Sequence, residues 1–157
     1  MGTPATIAND LTLSISDEIR VNAPLEATFA AILDQMGPEN LGEADKPMPM
    51  KLEARPGGRW YRDLGNDNGH LWGHVQAIKR PTLLEITGPL FMSFAVASNL
   101  QYRLTAVDGG TLITLKHSVM GMIPDDLRAA FAEMPIWQPL LERAKAAAER
   151  VARGSGR

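Results

Sequence analysis

Two alternating runs of apolar and polar residues, separated by a sharp turn, constrain the fold of this chain more than any other feature. Between Val96 and Ala106 the even-numbered positions are mostly apolar and the odd-numbered ones mostly polar, which is typical of a strand with one buried face. Asp108-Gly109-Gly110 predicts a tight turn, and the alternation resumes from Ile113 to Val119. The sequence therefore predicts a long antiparallel hairpin that presents one face to the interior.

Patterns upstream of the hairpin predict a further helix and several strands. A first alternating strand over Leu11–Val21 precedes a helix from about Pro24 to Met36, where apolar residues recur at helical spacing. Prolines and glycines then separate four more segments that we predict as strands, which are Met48–Ala54, Arg59–Leu64, His70–Lys79 and Thr82–Thr87.

Two helices are predicted after the hairpin. A short one begins near Pro124 and ends at about Met134, and a longer amphipathic one follows from about Ile136 to Ala152, because Pro135 and Pro139 interrupt the segment. The element order predicts an α+β fold with a curved antiparallel sheet of six to seven strands around the last helix. A gap between such a sheet and its helix is a common place for a small ligand.

Length and composition predict one domain and exclude several function classes. We assign residues 1–12 to a flexible lead, 13–152 to the domain and 153–157 to a flexible tail. The chain of 157 residues has no cysteine, which excludes disulfides and thiolate metal sites and is compatible with a cytoplasmic location. A net charge of −2 argues against nucleic-acid binding, and no apolar run is long enough to span a membrane.

Two inward-facing polar side chains of the predicted hairpin are candidates for chemistry. His117 is in phase with the buried positions of its strand, where a neutral imidazole could orient a polar ligand group, act as a general base, or simply belong to the core. Tyr102 faces inward on the other strand and needs a hydrogen-bond partner if it is buried. Both the functional and the purely structural interpretation stay open from the sequence.

Other candidate patterns give weaker predictions. His70 and His74 have the spacing of helical metal ligands, but in a strand they are ~13 Å apart, so no metal site is expected. No phosphate-binding, dinucleotide-binding or serine-hydrolase motif occurs. Trp60, Trp72 and Phe94 could line a cavity or form core, and a bulge near Gly73 would reverse the direction of Trp72.

Several short motifs resemble the START-like superfamily of helix-grip proteins, also called SRPBCC, which includes the birch-pollen allergen. The closest likeness is to its bacterial branch related to the activator of the heat-shock-protein-90 ATPase. The resemblance extends from about Leu13 to Ala152, and the segments that carry it are Val21–Pro24, Gly57–Trp60, Gly73–Val75, Gly109–Thr111 and Leu115–Ser118.

The resemblance implies a hydrophobic cavity between the sheet and the C-terminal helix and no shared catalytic triad. We therefore predict a domain that binds a small, largely apolar molecule, without catalytic residues, metal or cofactor. His117 is predicted to give a polar anchor. The predicted apolar walls of the cavity are Phe91, Leu100, Tyr102, Leu104, Met122, Phe131 and Trp137.

Two alternatives from other function classes stay open. A polyketide cyclase or dehydratase would use His117 and Tyr102 as a proton-transfer pair. A stress-related interaction module would dock on a chaperone or another protein, as the resemblance to the ATPase activator implies. The sequence also leaves open whether Pro135 and Pro139 open or close the mouth of the cavity.

Overall fold

The chain folds into one open antiparallel sheet of seven strands and three helices. The computed structural model describes residues 11–155, so most of the predicted lead and the last two residues of the predicted tail lie outside the described residues. The strands are β1 (Thr12–Val21), β2 (Lys51–Leu52), β3 (Arg59–Gly65), β4 (Asn68–Lys79), β5 (Leu83–Gly88), β6 (Val96–Val107) and β7 (Gly110–Gly121). The helices are α1 (Leu25–Met36), α2 (Asp125–Glu133) and α3 (Gln138–Ser155), with one 3₁₀ turn at Glu43–Asp45.

The predicted hairpin is confirmed and lies beside the middle of the sheet. β6 and β7 pair along their whole length, with Leu100 opposite His117 and Val107 opposite Gly110. The strand order is β1-β7-β6-β5-β4-β3-β2, so neighbours in the chain are neighbours in the sheet except where β1 adds to β7. The predicted α+β class, with a curved antiparallel sheet and a long C-terminal helix, is confirmed.

The inner face of the sheet and the two long helices enclose the main hydrophobic core. Helix α3 packs against α1 and also contacts β1. Its buried face includes Ala144 and Ala148, whose short side chains let the helix approach its neighbours closely. Buried Trp60 of β3 links this core to α1, because its indole N–H donates a hydrogen bond of 2.7 Å to the carbonyl of Met36.

Polar contacts fix the middle of α3 near the end of β1. Lys145 donates a hydrogen bond of 2.9 Å to the carbonyl of Arg20 and forms an ion pair of 2.8 Å with Glu149. These contacts begin about two turns after the start of α3 at Gln138. Within residues 11–155, no helix is long and apolar enough to cross a bilayer.

Three predicted boundaries differ from the structure. The strand expected over Met48–Ala54 is reduced to the two residues of β2, because the N–H groups of Met48 and Met50 donate to carbonyls of the connector after α1 and Pro49 has no N–H group to donate. Helix α3 begins at Gln138 rather than Ile136. It continues to Ser155, so Arg153, which we assigned to a flexible tail, is helical.

The packing of α3 predicts a size limit at Ala148. We expect Ala148→Leu to lower the free energy of unfolding by about 1–3 kcal/mol, because the added carbons have no free space in a fully buried site. Ala146→Leu, on the exposed side of the same helix, should change it by less than about 0.5 kcal/mol. Urea unfolding measures both variants, and equal effects would contradict close packing of the buried face of α3.

Candidate functional site

An open cleft of about 650 Å³ lies at the N-terminal end of α3. Three parts of the chain form its walls: the connector after α1, the middle of β4 with the β5–β6 loop, and the segment from the end of α2 into α3. Ten of its lining residues are apolar, and they are Leu41, Met48, Trp72, Phe91, Met134, Pro135, Ile136, Trp137, Pro139 and Leu140. The cleft is therefore a concave apolar surface open to solvent.

The two prolines of the α2–α3 segment both contribute to the wall of the cleft. Helix α2 ends at Glu133, Pro135 lies in the linker, and Pro139 lies in the first turn of α3, where a missing N–H costs no helical hydrogen bond. The N–H of Leu141 bonds to the carbonyl of Trp137 and so closes that first turn. The chain therefore bends between two helices beside the cleft.

Phe91 reaches the cleft through an unusual backbone path after β5. Gly88 has a φ of +150°, and a side chain there would meet the carbonyl oxygen of Trp72, 2.4 Å from the position of a Cβ atom. This close approach allows the N–H of Leu90 to donate a hydrogen bond of 2.7 Å to the same carbonyl. Leu90 is then fully buried, and Phe91, the next residue, faces the cleft.

A β-bulge directs Trp72 toward the cleft. Trp60 pairs with Gly73 and Tyr61 pairs with Leu71, so β4 has one more residue than β3 at this point, and that residue is Trp72. The sequence left the direction of Trp72 open. In the structure it is half-buried, its ring lies 5.0 Å from that of Trp60, and its indole N–H donates to Nδ1 of His70.

Aromatic rings form a continuous wall from the sheet to the linker before α3. The ring centroids of Trp72 and Phe91 are 5.9 Å apart, and those of Phe91 and Trp137 are 6.2 Å apart. Phe131 of α2 lies behind Phe91, at 6.0 Å. Contacts of this kind stabilise an apolar surface without filling the space in front of it.

Trp137 connects the cleft to buried His117. The indole N–H of Trp137 donates a hydrogen bond of 3.1 Å to Nδ1 of His117, so the neutral imidazole carries its proton on Nε2. That Nε2 atom is buried and has no hydrogen-bond partner among the described residues. Burial lowers the pKa of His117 to about 4, which keeps the ring neutral near pH 7.

Tyr102 and Ser98 lie on the inner face of β6, on either side of Leu100. Because Leu100 pairs with His117, both residues are diagonal neighbours of the histidine across the two strands. Their hydroxyl oxygens are also buried without a partner among the described residues. Burial raises the pKa of Tyr102, and the charge of Arg143 partly opposes this shift.

The predicted site residues fall into three groups: those on the wall of the cleft, those buried in the core, and exposed Met122. Phe91 and Trp137 line the cleft. The other inward-facing residues are buried in the two core clusters or next to them and are not on the wall of the cleft, and they are Leu100, Tyr102, Leu104, His117 and Phe131.

The prediction that Met122 lines a cavity is wrong. Its side chain is 69% exposed, because the chain leaves the sheet at Gly121, where φ is +138°. The N–H of Met122 bonds to the carbonyl of Ala95, and this backbone path directs the side chain to solvent.

Sequence reasoning missed the polar residues of the cleft. Arg143 of α3 lies on its wall, and its Nε atom donates a hydrogen bond of 2.8 Å to Gln35 of α1. Asn40 belongs to the connector after α1, where its side-chain amide donates to the carbonyl of Met48. The signal for Arg143 was its place on the polar side of α3, one residue before buried Ala144.

The described residues offer no stronger candidate site than this cleft. A depression of about 500 Å³ lies against the β3–β4 hairpin, but residues of that single hairpin form its whole lining. Within residues 11–155, no group of three or more histidine, aspartate or glutamate side chains could hold a metal ion.

The sheet and its long C-terminal helix define a START-like protein of the helix-grip class. A family model described as Activator of Hsp90 ATPase homolog 1-like protein matches residues 22–149. Because this match spans most of the chain, the protein belongs to that family. A comparison with curated proteins finds no significant match.

Solved structures with low sequence identity share this fold. The crystal structure of Ara h 8.0201 aligns with a TM-score of 0.60 and 16% identity over 87% of this chain and 97% of that chain. The solution structure of the Aha1 dimer from Colwellia psychrerythraea aligns with a TM-score of 0.60 and 17% identity over 87% of this chain and 96% of that chain. The crystal structure of the di-domain ARO/CYC StfQ from the steffimycin biosynthetic pathway aligns with a TM-score of 0.63 and 14% identity over 91% of this chain and 53% of that chain.

The lowered pKa of His117 predicts a pH-dependent stability. Between about pH 6.5 and pH 4 the unfolded chain binds a proton at this ring that the folded chain does not, so stability falls as the pH falls. We expect this histidine to account for a loss of about 2 kcal/mol between pH 7.5 and pH 5.

His117→Asn provides the comparison, because its amide oxygen can still accept the hydrogen bond from Trp137 but does not titrate. The free energy of unfolding, measured in urea at both pH values, should fall less in the variant than in the wild-type protein. Parallel losses in the two proteins would show that His117 is not the titrating group.

Proposed function

We propose that the protein binds a small, largely apolar molecule in the cleft at the N-terminal end of α3. The observation that carries the proposal is the concave apolar wall, which three separate parts of the chain form around about 650 Å³ of open space. Ligand sites of proteins are mostly apolar hollows of about 300 to 1,000 Å³ with a few polar groups. The cleft has this size and this composition.

The position of the cleft refines the proposal made from the sequence. The space lies beside the first turn of α3, whereas the helix is closely packed further along, at Leu141, Ala144 and Ala148. The proposed ligand therefore contacts the linker before α3 and the β5–β6 loop rather than the middle of the sheet. Phe91 and Trp137 keep the role of apolar walls, and Trp72 joins them.

His117 has an indirect role in this proposal. Its hydrogen bond fixes the indole of Trp137, whose ring lies on the wall of the cleft. Proton transfer by His117 and Tyr102 has less support, because neither side chain lines the cleft and both are fully buried. A chaperone partner, a stress-related role and a cytoplasmic location stay predictions.

Two exposed methionines offer a matched test of the proposed site. Met134 lies on the rim of the cleft and Met122 lies outside it, and both side chains are more than half exposed. We expect Met134→Asp to weaken binding of the neutral fluorescent probe N-phenyl-1-naphthylamine roughly fivefold, since an apolar contact of about 1 kcal/mol is lost. Met122→Asp should leave binding within twofold of the wild-type protein.

Probe fluorescence is titrated with each protein, and thermal melts establish that both variants fold. Absence of probe binding to the wild-type protein would contradict the proposed apolar site. An equal loss of affinity in the two variants would place the bound probe somewhere other than the cleft.

A further inference from the structure

The wall of the cleft contains one basic side chain among the described residues. Its polar lining residues are Asn40, Glu43 and Arg143. The side-chain N–H group of Asn40 already donates to the carbonyl of Met48, which holds the connector together. Glu43 is exposed at the 3₁₀ turn, where water screens its charge. Arg143 is therefore the group that most changes what the apolar wall can bind.

One hydrogen bond orients the guanidinium group of Arg143 and leaves its other N–H donors unused among the described residues. Its Nε atom donates to the side-chain oxygen of Gln35, which is buried in α1 and so fixes the plane of the guanidinium group. The two terminal nitrogens make no hydrogen bond or ion pair with any residue from 11 to 155. These nitrogens form the fork that binds the two oxygens of a carboxylate.

The surroundings of Arg143 leave its charge incompletely balanced. Partial burial lowers the pKa of the guanidinium, and the carboxylate of Asp45 acts in the opposite direction. Asp45 nevertheless forms no ion pair with Arg143 in the described part of the chain. A half-buried cation without a close carboxylate gains from an added anion, because the anion replaces hydration that the cleft has removed.

We propose that the cleft selects apolar molecules that carry a carboxylate, with Arg143 binding the carboxylate and the aromatic wall binding the apolar body. This inference rests on the proposed function and adds the chemical class of the ligand. The apolar face of Phe91 and Trp137 and the cationic fork of Arg143 lie on one continuous surface. An amphipathic acid matches both parts, whereas a neutral molecule uses only the first.

The test compares 1-naphthylacetic acid with 1-naphthylacetamide, which share the apolar ring and differ in the charge of the head group. Each compound displaces N-phenyl-1-naphthylamine from the full-length protein. We expect the wild-type protein to bind the acid roughly tenfold more tightly than the amide. Arg143→Met keeps the apolar stem and should remove this preference, so that acid and amide displace the probe from this variant equally well.

Arg143→Lys is the matched control, because it keeps the charge but lacks the planar fork. It should retain part of the preference for the acid, and thermal melts of both variants establish that they fold. Equal displacement by acid and amide, or no displacement by either, would overturn the carboxylate inference while leaving the proposed apolar site in place. Absence of probe binding to the wild-type protein would overturn both proposals.

Discussion

The hydrogen bond from Trp137 to His117 is the contact on which the candidate site depends. It joins the linker before α3 to the middle of β7, so the aromatic wall of the cleft has a fixed position relative to the sheet. The imidazole can accept this bond because burial keeps it neutral near pH 7. A polar interaction inside the core thus determines the shape of an apolar surface outside it.

The fold could be predicted from the sequence because its signals are local. Alternation defined β1, β6 and β7, and helical spacing after a proline that immediately precedes the first turn defined α1. Where Pro49 interrupted the alternation, the prediction extended β2 too far. A strand pattern reports which side chains face one way, but hydrogen bonding decides where pairing begins and ends.

The site was harder to predict because its walls come from segments distant in the chain. Phe91 and Trp137 were predicted as cavity residues, and they do line the cleft, whereas Met122 does not. The bulge that turns Trp72 inward depends on an extra residue between paired strands, which the sequence of one strand cannot reveal. The sequence pattern of α3 places Arg143 on the polar side of the helix. The connector after α1, which is distant in the sequence, makes that side part of the cleft.

The position of β1 at the edge of the sheet has a consequence for the order of folding. Its partners in β7 are 90 residues away for Val21 with Thr111 and 108 residues away for Thr12 with Met120. Strands β2 to β7 instead pair with their neighbours in the chain, and closing such short loops costs much less entropy. The topology therefore favours a nucleus of consecutive hairpins, to which β1 attaches late.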